Sequence, residues 1–119
     1  MKSLSKLSNE TLIERKYHLS YDRTKNFKGS SDDAKIAILR KLKEFGVISI
    51  ESPCESTIVF TYPDSNFDFD SFEFEIQEQF YFSICLVGRS NNTNKHFEAI
   101  NYSTEIDDEI LQQMWNSID

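Results

Sequence analysis

The chain has 119 residues, with ten phenylalanines, three glycines and two prolines. That length suits one domain and buries roughly two-thirds of its unfolded surface, while so little glycine and proline argues against a disordered or loop-rich chain. A formal charge of −7 opposes general nucleic-acid binding, which needs positive surface, and no apolar run approaches the ~18 residues of a membrane span.

The opening stretch MKSLSKLSNETLIERK lacks the continuous apolar core of a secretory signal, so the cytosol is the expected compartment. Residues 8–16 suit a short helix capped by Ser8, loosely attached unless it docks. Tyr17, Leu19 and Tyr21 alternate with His18, Ser20 and Asp22, the pattern of a strand. A basic loop follows over residues 23–30. Residues 31–45 form the clearest helix, with Ser30 or Ser31 as cap, Asp32 and Asp33 in the first turn, and a stripe of Ala34, Ile38, Leu42 and Phe45. Gly46 fits the position just past its end.

Val47–Ile50 and Thr57–Tyr62 are two short strand-like runs. Pro53 between them breaks a ladder, giving a hairpin or an interrupted strand. Pro63 to Asn66 is a turn. Residues 67–80 can be a helix with Phe69, Phe72, Ile76 and Phe80 on one stripe, or a strand with Phe72, Phe74 and Ile76 on one face. The phase break at Ser71 favours the helix. Tyr81–Val87 is a strand of nearly continuous apolar character, and an Asn-rich turn leads to a strand over His96–Tyr102. Residues 105–118 end the chain as an amphipathic helix capped by Ser103 or Thr104. The order predicts a single-domain α+β fold, an antiparallel sheet with helices on one face, whose commonest form is ferredoxin-like.

The charge is divided along the chain. Residues 1–44 hold eleven Lys or Arg against six Asp or Glu, whereas Phe45 to Gly88 holds eight acids and no Lys or Arg. Within that stretch Asp64, Asp68, Asp70, Glu73, Glu75 and Glu78 interleave with phenylalanines, so the segment is a folded, half-buried element. Asp107, Asp108 and Glu109 make a second acidic group. Carboxylates so placed pair with Lys and Arg of a basic partner, or imitate phosphates. Arg23, Lys25 and Lys28 are the chief loop cations, and only Phe27 interleaves with them, too little for a nucleic-acid platform. Cys54 and Cys85 read as buried thiols, with a disulfide or a reactive thiol as alternatives. His18 and His96 form no ligand pair, so zinc is not expected. No serine sits in a nucleophile elbow.

The first strand KYHLSYDR ends in Asp22, a helix ending in Gly46 follows, and Glu51-Ser52 opens a serine-containing second strand. Over residues 17–88 this resembles the ferredoxin-like proteins of the CRISPR spacer-acquisition endonuclease and VapD-type ribonuclease group. The resemblance implies a homodimer in which two copies of Asp22 hold Mg²⁺ and cleave nucleic acid. Pro53 and Cys54 in the second strand and the lack of basic residues after Phe45 depart from that pattern. The charge distribution supports a different reading as the principal one. It is a non-enzymatic, cofactor-free acidic protein that neutralises a basic partner, such as a nuclease toxin or a nucleic-acid-directed defence enzyme, as an immunity protein, antitoxin or phage-encoded inhibitor would.

Overall fold

Strand β1 spans Arg15–Arg23 and buries Tyr17, Leu19 and Tyr21 on one face, while His18 and Asp22 stay exposed on the other. The computed structural model describes residues 14–88 and 97–118. Of the expected N-terminal helix, residues 8–13 lie outside the described residues, and Arg15 and Lys16 belong to β1. Strand alternation wins there because Arg15 and Lys16 continue the ladder opposite Tyr62 and Thr61.

Helix α1 spans Ser31–Glu44. The Ser30 hydroxyl accepts from the Asp33 amide at 3.1 Å and the Asp33 carboxylate accepts from the Ser30 amide at 3.0 Å, a reciprocal capping box. The helix stops at Phe45, and Gly46 takes φ +92°, the left-handed conformation that ends helices cheaply only at glycine.

Strands β2 (Ser49–Cys54) and β3 (Thr57–Tyr62) form a hairpin with an irregular register between Glu51 and Cys54. The second run therefore lies later than its apolar residues suggest. Val47 and Ile48 precede the strand, and Pro53 is inside it, tolerated because β2 is an edge strand. Helix α2 spans Phe69–Ile76, the helical alternative for this segment. It ends before Phe80, which opens β4 (Phe80–Leu86). Strand β5 is only Ala99–Asn101, and α3 spans Asp108–Asn116. The cap of α3 is Asp107, whose carboxylate accepts from the Glu109 and Ile110 amides, and not Ser103 or Thr104.

The sheet is antiparallel throughout, in the order β2-β3-β1-β4-β5. The β-α-β-β-α-β order through β4, with β1 between β3 and β4, is the ferredoxin-like plan, extended by β5 and α3. Both sheet edges are poor templates for further pairing, one being three residues long and the other carrying Pro53 and a bulge.

One core lies between the sheet and the two helices. Leu19, Ile58, Phe60, Phe82 and Ile84 from the strands meet Ala34, Ile38 and Leu42 of α1 and Phe72 and Ile76 of α2. Phe67 sits at its aromatic centre, within ring contact of Tyr17, Phe45, Phe60, Tyr62, Phe69 and Phe72. One helix stays outside this core, and the expectation of buried thiols fails. Helix α3 buries no residue, so its apolar stripe lies outside the core. Cys54 is exposed and Cys85 half-buried, and both are free thiols. Cys54 is exposed because β2 lies at the edge, exposed along its whole length. Burial pushes the Cys85 thiol up, with Glu98 adding to the effect.

Candidate functional site

Helix α2 forms because Asp68 caps it and Phe72 and Ile76 fall on one buried face. The Asp68 carboxylate accepts from the Ser71 amide at 3.1 Å and from the Ser71 hydroxyl at 2.8 Å. Those bonds hold its carboxyl below the ordinary carboxylate value. At about 100° per residue, Asp70, Phe74 and Gln77 share the opposite side, and Glu73 lies between the two sides, half-buried. Phe74 is 76% exposed. Placed with Phe72 and Ile76 only by the strand alternative, and off the helical stripe, it is solvent-facing because it lies nearly half a turn from Phe72.

The six acids of this segment separate into two groups. Asp64, Asp68 and Glu75 are engaged within the fold. The Asp64 carboxylate accepts from the Asn66 amide at 2.6 Å and closes the turn before α2. Glu75 pairs with Lys41 of α1 at 2.7 Å. Asp70, Glu73 and Glu78 have no ion-pair partner among the described residues. Asp70 lies one turn before Phe74 on α2, Glu78 is in the turn after the helix, and Glu73, next to Phe74 in sequence, is half-buried. Neither the engagement of the first group nor the exposure of Phe74 is visible in composition. Helical phase alone could have separated Phe74 from Phe72.

The basic segment is a neighbour of this face. The Thr24 hydroxyl and the Asn26 amide both donate to the Glu78 carbonyl, at 2.7 and 3.2 Å. Phe27 packs on Phe80 with ring centroids 5.1 Å apart. The Arg23 guanidinium donates to the Gly29 carbonyl and the Lys28 ammonium to the Lys25 carbonyl, so two of the three loop cations bond their own loop. On α1, Lys41 also meets Glu44 at 3.1 Å. Bonds to Glu75 first, and then Glu44, raise its pKa.

Asp107, Asp108 and Glu109 stand together at the start of α3, with Asp107 used as its cap. All three are exposed.

Asp22 lies on the open face of the sheet, opposite Tyr81 in the β1–β4 ladder. Its carboxylate accepts from the Arg23 amide at 2.8 Å. It borders a shallow trough lined by Ser20, Tyr81, Ser83, Ile100 and Tyr102. No group of three His, Cys, Asp or Glu able to hold a metal ion occurs among the described residues. A divalent ion at Asp22 would need further ligands from a second copy. His18 is exposed on the same face, between Val59 and Cys85, and His96 lies outside the described residues.

No helix among the described residues is long and apolar enough to cross a membrane. Comparison of the chain with protein-family models, with curated proteins and with solved structures finds no match.

Proposed function

We propose that this protein is a non-enzymatic binding module whose α2 face captures a basic protein, with a nuclease toxin or a nucleic-acid-directed defence enzyme as the kind of target it would neutralise. One observation carries the reading: an exposed phenylalanine, Phe74, stands on the helix that carries Asp70 and Glu73 and runs into the turn of Glu78, three acids with no ion-pair partner among the described residues. Binding energy concentrates in a few aromatic or arginine anchors that become fully desolvated. Charges around such an anchor chiefly set approach rate and partner choice. A basic cleft that ordinarily holds phosphate offers both the cations for these carboxylates and a surface that Phe74 can enter. Occupying it would exclude the nucleic-acid substrate.

The test is affinity capture from the native host with the intact protein and with the combined variant Asp70→Lys, Glu73→Lys, Glu78→Lys. We expect the intact protein to retain a basic protein in low salt, and the variant to lose it. Phe74→Ala should weaken capture at least about tenfold, the scale of one hot-spot side chain. Retention of the same protein by the charge-reversed variant would remove the α2 face from the reading. Asp68 and Glu75 are left unchanged because they hold the fold.

A further inference from the structure

Helix α3 is amphipathic, yet none of its own residues is buried. By helical phase Ile110, Leu111, Met114 and Trp115 occupy one arc of roughly 140°, with Asp108 at its edge and Glu109, Gln112, Gln113 and Asn116 on the other side, and Ile118 follows just past the helix end. The five apolar residues are 48–68% exposed. Residues 97–118 contain no Lys or Arg. A short helix with its apolar arc in water is marginal by itself, and packing of that arc is the usual source of its stability.

The sheet edge opposite β5 offers an apolar groove. Leu39 and Leu42 of α1, with Val47, Ile48 and Ile50 leading into β2, line a groove of about 300 Å³ together with Lys43. Ile48 and Ile50 are 54% and 46% exposed. Lys35 and Lys43 lie one turn either side of Leu39 on the helix. Lys35 reaches β2, where its ammonium donates to the Ser52 hydroxyl at 2.8 Å. The groove is therefore apolar along its floor and cationic at its flanks. Of the acids on the flanking elements, Glu44 is paired with Lys41 and Glu51 with Lys16.

We propose that α3 of one copy seats its apolar arc in the α1–β2 groove of a second copy, reciprocally, to form a two-fold dimer. Charge complementarity selects the groove over the open face of the sheet. That face presents the like-charged Asp22, and its β1 lysine, Lys16, is already paired with Glu51, whereas the groove sets Lys35 and Lys43 at its flanks beside Asp108, which stands at the edge of the apolar arc. Geometry selects a second copy over the helix's own groove. The Tyr81 hydroxyl bonds the Thr104 hydroxyl at 2.9 Å and the Glu105 carboxylate at 3.2 Å. Tyr81 points to the sheet face opposite α1, because its neighbours Phe80 and Phe82 point into the core. Only Ile106 and Asp107 separate this tether from the helix, about 7 Å of chain. Strand β4 is three strands from β2, about 14 Å away. The helix cannot lie along its own groove while the tether holds. A reciprocal exchange also buries two such arcs, which suits the roughly 1,000 Å² that a specific interface requires. An isologous pair closes and leaves no free site for polymerisation.

The experiment is sedimentation equilibrium of the full chain, of Trp115→Glu, of Ile48→Glu, and of an equal mixture of the two variants. Circular dichroism checks that each variant keeps its fold, as exposed positions should allow. The intact protein should dimerise, and each variant alone should associate at least about tenfold more weakly. The mixture should regain dimer beyond either variant alone, because one intact helix still meets one intact groove. Lys43→Glu should weaken the dimer, and adding Asp108→Lys should restore it. A monomeric intact protein would overturn the proposal, whether α3 covers its own domain or awaits an unrelated partner. So would an Ile48→Glu variant that still dimerises, since the helices would then be pairing with each other.

Discussion

Phe72 and Phe74 are two residues apart and have opposite roles. Phe72 is fully buried, in edge contact with Phe45 at 5.4 Å and Phe67 at 5.6 Å between ring centroids. Removing that ring leaves a cavity that rigid aromatic neighbours cannot fill, so Phe72→Ala should cost about 3–5 kcal/mol. Phe74 has little to lose on the folded side, and Phe74→Ala should change stability by no more than about 0.5 kcal/mol. Urea unfolding of the two variants measures both. A large loss for Phe74→Ala would mean that its ring supports the fold and is not available to a partner. This contrast separates a binding role from a packing role before any partner is known.

At the scale of the elements, the helices depend on side-chain caps, and this gives them a pH dependence. Asp33 and Asp68 accept hydrogen bonds from Ser30 and Ser71, and those bonds lower both carboxyls from their ordinary value. A carboxyl lowered on folding stabilises the protein fully above its unfolded pKa of about 3.9, and loses that contribution as pH falls through the lower folded value. Thermal melts of the intact protein should therefore show an acid limb below about pH 4 that is shallower in the combined variant Asp33→Asn, Asp68→Asn. An unchanged limb would mean that other carboxylates set it. The same elements show what the sequence made legible. Helix α1 was fully readable, because its cap, dipole charges, apolar stripe and terminal glycine all agree. Residues 67–80 were ambiguous because phenylalanines at both helical and alternating spacings fit two periods, and only the Asp68–Ser71 bonds and the contacts of Phe67 decide. Strand β2 was displaced because its register follows β3 at a sheet edge, where a proline costs little, and not its own apolar residues. Helix α3 was legible as a helix and illegible as an unpacked one, since periodicity shows an apolar arc but not what covers it.

For the whole molecule, the charge boundary seen along the chain becomes a boundary across one surface. The basic helix α1 and the acidic helix α2 cover the same face of the sheet, so the charges lie side by side. They meet at the Lys41–Glu75 pair, 2.7 Å apart, with side chains 25% and 42% exposed. Bonding to Glu75 and Glu44 raises the Lys41 pKa. A raised lysine contributes fully below its unfolded value, so the pair is intact at neutral pH and would be lost only in strong alkali. Its partial exposure limits what it adds. A double-mutant cycle with Lys41→Met and Glu75→Gln should give a coupling of about 0.2–1 kcal/mol, reduced by salt. A larger, salt-insensitive coupling would mean that the two halves are locked together electrostatically, with less of the α2 field left for a partner. With weak coupling, the remaining acids of α2 keep their field toward solvent, as fast, salt-sensitive capture of a basic partner requires.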